Sequence, residues 1–191
     1  MTTPFEKDIE NALAVLNNGG VILYPTDTIW GLGCDATNEA AVQRIYTIKN
    51  RHAAKSLIIF VADARDLLHY VAAPDPAVFD YIEALHQPTT IIFENAISLP
   101  QNLLAPDGSI GIRIVKDEFC RHLIKRLRKP LVSTSANTSG EPAPLQFDAI
   151  TDVIKKSADY VVSWRQQDPV TAQPSRVVKW NKDGTTTVLR P

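Results

Sequence analysis

The chain has 191 residues, with 20 Lys and Arg against 21 Asp and Glu, a net charge of −1 and 45% hydrophobic residues. This composition excludes an acidic disordered tail, a histone-like nucleic-acid wrapper and a fibrous repeat, and the length favours one domain over residues 1–191. The longest unbroken apolar run, 57–62, has six residues, whereas a membrane-spanning helix needs roughly 18. The amino terminus lacks the basic and apolar segments of a secretory signal, so we expect a cytoplasmic protein that does not enter a membrane.

The cysteines and histidines predict neither a disulfide framework nor a tight metal site. Cys34 and Cys120 are the two cysteines, and they form no CxxC motif or Cys/His cluster. We predict that both are buried thiols without a chemical role. The four histidines show neither HxxxH nor HExxH spacing, and they are His52, His69, His86 and His122.

Apolar periodicity predicts helices and strands that alternate along the chain. Thr3 and Glu6 have the spacing of a capping box at the start of the first helix. The expected helices lie near residues 3–18, 42–51, 63–69, 76–86 and 117–128. The expected strands lie near 21–24, 30–34, 56–61, 90–93, 110–115 and 131–133.

The last strands are expected to form a hairpin. Segments 176–180 and 185–190 flank the turn residues 181–184. An antiparallel pair after alternating helices and strands makes the sheet mixed. We therefore predict an α/β fold with a single twisted sheet of parallel and antiparallel strands and flanking helices.

Three cations stand close together at the end of the second predicted helix. Lys49, Arg51 and Lys55 fall within seven residues, where the helix runs into a loop. Such a group suits an anionic ligand. Cations also complement the negative carboxyl end of a helix dipole, so a solvated helix end is an equally physical interpretation of these residues alone.

A second polar segment, 133–140, directly follows a predicted strand. It contains five hydroxyl residues, one carboxamide and one glycine, all suited to hydrogen-bonding phosphate or ribose oxygens. The same residue types also fill ordinary turns. No GxSxG, GxxxxGK[ST] or GxGxxG motif is present, so a hydrolase nucleophile or a common phosphate loop is not predicted.

Segment 121–129 is the densest basic run of the chain. It suits RNA phosphates, but its apolar residues follow helical spacing and its cations cluster at the end of the helix. No aromatic residues interleave for base stacking. A solvated helix terminus is therefore the favoured interpretation, and an RNA-binding surface is the alternative.

Three ordered segments together resemble the threonylcarbamoyl-AMP synthase family, which is also called YrdC-like. They are YPTDTIWGLGCDA at 24–36, IKNR at 48–51 followed by KSLI at 55–58, and KPLVSTSANTSG at 129–140. Three further segments resemble later parts of the family pattern: IGIR at 110–113, PSRVV at 174–178 and VLRP at 188–191. The resemblance covers roughly residues 8–190.

This resemblance implies a fold with a concave basic cavity and an ATP-dependent reaction. L-threonine and bicarbonate or CO2 would react with ATP, with Mg²⁺ as cofactor, to give threonylcarbamoyl-adenylate and pyrophosphate. The adenylate would then serve separate transferase proteins that modify tRNA, and tRNA itself would bind this chain only weakly. No protein nucleophile is implied.

The resemblance also implies roles for particular residues. The ATP-binding set would be Lys49, Arg51, Lys55, Ser109, Ser135, Asn137 and Arg190, in which Lys49 and Arg51 are also catalytic. The threonine-binding set would be Thr28, Arg113, Ser133 and Ser175, with Arg113 as the partner of the carboxylate. Mg²⁺ would be held mainly by the ATP phosphates.

Two departures from the family pattern and two alternatives accompany this interpretation. Phe60 stands where many members have a histidine, and the chain resembles the short form of the family, without an appended second domain. One alternative is a module of the same fold that binds double-stranded RNA or tRNA without catalysis. The other is a relative that has lost the reaction, which the retention of both Lys49-Asn50-Arg51 and Ser135-Ala136-Asn137 disfavours.

Overall fold

The computed structural model describes residues 3–50, 57–168 and 173–191, and the strands within these ranges form one continuous sheet. The strands are β1 (Ile22–Tyr24), β2 (Gly31–Gly33), β3 (Ile58–Val61), β4 (Thr89–Phe93), β5 (Ile110–Ile114), β6 (Leu131–Ser135), β7 (Tyr160–Val161), β8 (Arg176–Trp180) and β9 (Thr186–Arg190). The helices are α1 (Glu6–Asn17), α2 (Glu39–Lys49), α3 (Leu67–Tyr70), α4 (Ala77–Glu83), α5 (Glu118–Leu127) and α6 (Asp152–Ser157). None of these helices is long and apolar enough to cross a membrane.

The sheet is mixed, as predicted. Its strand order is β7-β1-β2-β6-β3-β5-β4-β8-β9. The pairs β7/β1, β3/β5 and β4/β8 are parallel, and the remaining neighbours are antiparallel. The predicted terminal hairpin is confirmed as β8 and β9, which the sequence alone placed within one residue of their observed bounds.

Helix α5 illustrates how the sequence fixes an element. The Asp117 side chain accepts a hydrogen bond from the Cys120 amide at 2.9 Å and caps the helix, and Arg128 ends it in the left-handed conformation at φ 59°. Its apolar stripe packs inward. The buried residues are Phe119, Cys120, Leu123, Ile124 and Leu127, of which each large side chain contributes about 1.5–3 kcal/mol.

Two sequence predictions of local structure were wrong, and two elements were not predicted. Thr3 does not cap the first helix: α1 begins at Glu6, Phe5 occupies the N-cap position, and no side chain among the described residues caps the helix. The buried Phe5 ring lies 5.6 Å from the Phe119 ring. Thr134 and Ser135, expected in a loop, extend β6 instead and pair with β2. Helix α6 and strand β7 were not predicted, and both are short.

The two glycines of β2 allow the Tyr24 ring to lie against the sheet. Tyr24 pairs with Gly31 across the β1/β2 ladder and is fully buried. A Cβ atom at Gly33 would stand 2.7 Å from both the Tyr24 ring and the Val132 carbonyl oxygen. At Gly31 the nearest atoms, the Ser133 hydroxyl and the Thr134 carbonyl oxygen, would be 3.3 Å away. Tyr24 therefore occupies part of the volume that a side chain at Gly33 would fill.

Substitution of these glycines should lower stability to different extents. We expect Gly33→Ala to lower the free energy of unfolding by about 1–3 kcal/mol, because the backbone of β6 cannot yield to the added methyl group. Gly31→Ala serves as the matched control and should cost less. Urea denaturation followed by circular dichroism measures both, and equal losses would contradict this explanation of the β2 glycines.

Candidate functional site

A cleft of about 210 Å³ lies against the central strands. Side chains from β3, β5, β6 and β9 line it, together with the β1–β2 connection and the residues just before β8. Six of the residues proposed from the sequence meet here: Thr28, Arg113, Ser133, Ser135, Ser175 and Arg190. All four members of the predicted threonine-binding set are among them, although their positions span 28 to 175 of the chain.

Arg113 is the central charged group of the cleft. It projects from β5 with 2% of its surface exposed, and its guanidinium donates to the Thr28 hydroxyl at 3.1 Å and forms an ion pair with Asp27. The guanidinium carbon lies 5.0 Å from the centroid of the Phe60 ring, a cation–π contact. Within the described ranges, its Nε atom is buried without an acceptor. The cleft wall thus contains a positioned cation with unused hydrogen-bonding capacity.

The hydroxyl groups of Thr26 and Thr28 form a chain of fixed direction. The Thr26 hydroxyl donates to the Ile29 carbonyl oxygen at 2.8 Å and accepts the Thr28 amide at 3.0 Å. Since this hydroxyl has one hydrogen, the Thr28 hydroxyl must donate across the 2.9 Å separation between the two side chains. Thr28 also accepts from Arg113, so the Thr28 oxygen retains acceptor capacity but no free hydrogen.

Arg190 brings a second guanidinium to the same cleft. From β9 it donates to the Ser175 carbonyl oxygen, from Nε at 2.9 Å and from Nη2 at 2.6 Å. The Ser175 hydroxyl in turn lies 3.0 Å from that of Thr90. Burial, and then the charge of Arg113, lower the pKa of Arg190 from its ordinary value. Among the described residues, Arg113 and Arg190 line the cleft and Asp27 pairs with Arg113, a positive balance that favours an anionic ligand.

Nucleophilic chemistry is disfavoured at the buried titratable groups near the site. Burial raises the pKa of the Tyr24 phenol and of the Cys34 and Cys120 thiols above their ordinary values. Both cysteines are buried, as predicted. Neutral, enclosed thiols and phenols are poor nucleophiles, so the arrangement suits binding and orientation of ligands more than covalent catalysis.

Three residues of the predicted ATP-binding set lie away from the cleft lining. Lys49 has 1% of its surface exposed, and its ammonium donates to the backbone of segment 135–137. Ser109 donates to the Asp107 carboxylate at 2.6 Å, and the Asn137 amide donates to the Glu141 carbonyl oxygen at 2.6 Å. Their ligand roles stay predictions.

Two further members of the ATP-binding set, Arg51 and Lys55, lie outside the described residues. The structure therefore adds nothing to the prediction that Arg51 and Lys55 bind phosphate.

Sequence reasoning did not assign roles to Asp27, Thr26 or Phe60. Asp27 and Thr26 lie within the motif at 24–36, directly after a buried strand, and that position was a usable signal. Phe60 faces Arg113 because the two residues are partners across the parallel β3/β5 ladder. Only the strand register reveals this contact.

The basic run at 121–129 is extensively paired with carboxylates. Asp63 accepts from Arg121 at 3.0 Å and lies 3.1 Å from the Lys125 ammonium. Arg126 pairs with Glu6, and Lys129 donates to Asp35 at 2.5 Å. Local neutralisation of these cations leaves little charge for a polyanion, so the run does not favour the RNA-binding alternative.

Comparisons with known proteins confirm the predicted family. The family model for Sua5, YciO and YrdC, described as "Telomere recombination", matches residues 14–191. A protein from Xanthomonas euvesicatoria pv. vesicatoria named threonylcarbamoyl-AMP synthase is 35% identical over 174 residues, which cover 89% of this chain and 91% of that protein. A protein of the same name from Idiomarina loihiensis is 32% identical over 162 residues, covering 83% and 86%.

Solved structures confirm the fold class. The chain is similar to E. coli YciO with a TM-score of 0.83 and 26% identity, covering 98% of this chain and 90% of YciO. It matches P. abyssi Sua5 complexed with L-threonine with a TM-score of 0.84 and 23% identity, covering 97% of this chain. The chain spans about half of that Sua5 chain, 54%, so this second likeness concerns the shared fold alone.

The ion pair of Asp27 with Arg113 should contribute to stability. We expect Asp27→Asn to lower the free energy of unfolding by about 1–3 kcal/mol, because it leaves a buried guanidinium without its opposite charge. Asp152→Asn removes the exposed pair with Lys156 and should cost less than about 0.5 kcal/mol. Urea denaturation at neutral pH measures the free energy of unfolding of both variants. If Asp27→Asn lowers it no more than Asp152→Asn does, the ion pair of Asp27 with Arg113 does not contribute to stability as proposed.

Proposed function

Because the chain belongs to the Sua5/YciO/YrdC family, we propose that it condenses L-threonine, bicarbonate or CO2, and ATP into L-threonylcarbamoyl-adenylate, releasing pyrophosphate. Relatives in this family are named as a synthase, so the chain belongs to a family of enzymes. The finer class, a nucleotidyltransferase, is part of the proposal. The observation that carries it is the meeting of Thr28, Arg113, Ser133 and Ser175 in one cleft.

The amino acid is proposed to bind with its carboxylate towards Arg113. A guanidinium matches a carboxylate in shape and charge, and Arg113 is held in place on two sides by Thr28 and Asp27. The remaining acceptor capacity of Thr28 suits an N–H or O–H group of the substrate rather than its carboxylate. The Thr28 hydroxyl would therefore orient the amine or hydroxyl of threonine.

The chemistry then needs positioning more than a protein nucleophile. The threonine ammonium gives a proton to water, and the neutral amine attacks CO2; the nitrogen then releases a second proton to water, which leaves a carbamate. A carbamate oxygen attacks the α-phosphorus of ATP, and the bond to the leaving pyrophosphate breaks. The protein's part is to hold two anions close together and to stabilise developing charge, for which Arg190 is a suitable group beside the cleft.

Magnesium is proposed to enter with ATP. Among the described residues no group of three or more His, Cys, Asp or Glu side chains is arranged to hold a metal ion, and Asp27 is engaged by Arg113. Mg²⁺ commonly keeps waters and binds through substrate phosphates. This donor set fits an ion carried by the nucleotide and does not fit a metal cage built by these residues.

The product adenylate is proposed to pass to separate transferase proteins that modify tRNA. All reactants of the first step are small, so none requires RNA. We predict pyrophosphate release from ATP, Mg²⁺, bicarbonate and L-threonine at the same rate with and without tRNA. Omission of threonine or bicarbonate is the control and should abolish the release. A strict requirement for tRNA, or tight tRNA binding at physiological salt, would favour the RNA-binding alternative instead.

Arg113→Ala should weaken threonine binding more than ATP binding. Loss of a charge-assisted hydrogen bond costs about 1.5–3 kcal/mol, so the Kd for threonine should rise about tenfold to hundredfold. Calorimetric titration of each ligand measures the difference.

The control for this substitution is Arg44→Ala, which removes an arginine that pairs with Asp159 and does not line the cleft. It should leave both affinities unchanged. Equal losses for threonine and ATP in Arg113→Ala would count against the assignment of Arg113 to the carboxylate.

A further inference from the structure

The side chain of Lys49 connects the end of α2 to the segment that follows β6. Its ammonium donates to the Ser135 carbonyl oxygen at 2.5 Å, to the Asn137 carbonyl oxygen at 2.6 Å and to the Asn137 side-chain oxygen at 3.3 Å. The Lys49 carbonyl oxygen accepts from the Ser139 amide at 2.7 Å. Side chain and backbone of one residue thus hold both ends of segment 135–139.

These contacts match what a buried ammonium requires. Lys49 has 1% of its surface exposed, and a charge so far from water must be surrounded by acceptors. An ammonium carries three N–H donors, and three oxygens of this segment lie within hydrogen-bonding distance. Bonds from a charged donor are stronger than neutral ones, so the geometry of the segment depends on this side chain.

The held segment begins in the wall of the cleft. Ser135 lines the cleft and pairs with Gly31 at the end of β6. The Ala136 amide donates to the Trp30 carbonyl oxygen at 3.1 Å, and beyond that point Lys49 supplies the contacts given above. Removal of its ammonium would remove the side-chain contacts to Ser135 and Asn137 at the point where the chain leaves the sheet.

We infer that Lys49 is a positioning residue, which sets the backbone of segment 135–139 and hence the Ser135 hydroxyl, rather than a ligand of the ATP phosphates. This inference rests on the proposed function, because it concerns how nucleotide binding is organised. It differs from the phosphate-binding role that the family resemblance implies for Lys49. A positioning residue affects every nucleotide that contacts the segment, whatever the number of its phosphates.

Comparison of AMP with ATP separates the two roles. In Lys49→Met, a positioning role predicts that the Kd values for AMP and for ATP rise by a similar factor, about tenfold to hundredfold. A role on the β- and γ-phosphates predicts a much larger loss for ATP than for AMP, and that result would overturn the inference. Lys7→Met makes the same change at an exposed site and should alter neither affinity.

Amine labelling of the wild-type protein tests the inference even if Lys49→Met does not fold. An acylating reagent followed by mass spectrometry should modify the exposed Lys7, Lys156 and Lys182 but not Lys49, with or without ATP. Rapid labelling of Lys49 that ATP prevents would assign its ammonium to the phosphates and reject the positioning role.

The two experiments also distinguish this inference from the proposed function. Wild-type protein that binds no ATP and releases no pyrophosphate would reject the proposed function, while the labelling of Lys49 would still report whether its ammonium is enclosed. Normal ATP binding by the wild type, with a selective loss for ATP in Lys49→Met, would reject the inference and leave the proposed function standing.

Discussion

The burial of a positive charge in the middle of the sheet is the constraint on which the cleft depends. A guanidinium with 2% exposure needs acceptors and an opposite charge around it. Thr28 and Asp27 supply them from the connection between β1 and β2, and Phe60 covers the guanidinium from the neighbouring strand. These contacts also form part of the cleft wall. The packing of this part of the sheet and its capacity to bind an anion therefore depend on the same side chains.

Much of the fold follows from local patterns in the sequence. Alternating apolar segments gave the strands of the central sheet, and the residues between 180 and 186 carry the turn chemistry that made the last hairpin predictable. Strand β7 has two residues and helix α6 has six, which is less than two helical turns, so neither element shows a clear apolar period. The start of α1 was predicted incorrectly, because Phe5, whose ring packs against Phe119, occupies the N-cap position that the capping pattern assigned to Thr3.

The candidate site was predictable to the extent that its residues belong to motifs. Thr28, Arg113, Ser133 and Ser175 were assigned by resemblance, and the fold brings them together. The contacts of each side chain could not be predicted in this way, because they are made with segments that are distant in the chain. The Lys49 ammonium donates to the carbonyl oxygen of Ser135, which is 86 residues away in the chain. No pattern near Lys49 distinguishes a lysine that binds phosphate from a buried lysine that positions the backbone.

The position of β9 makes one wall of the cleft an edge strand. This strand closes one edge of the sheet, pairs on one side only and is exposed over most of its length, whereas β8 is anchored by the buried Val178 and by the Trp180 ring 5.5 Å from Tyr81. Edge strands of this kind open at free energies well below that of global unfolding. Arg190 therefore lies on a strand whose local opening would expose one side of the cleft to solvent. We expect hydrogen exchange of the β9 amides and the dissociation of a bound ligand to report the same opening.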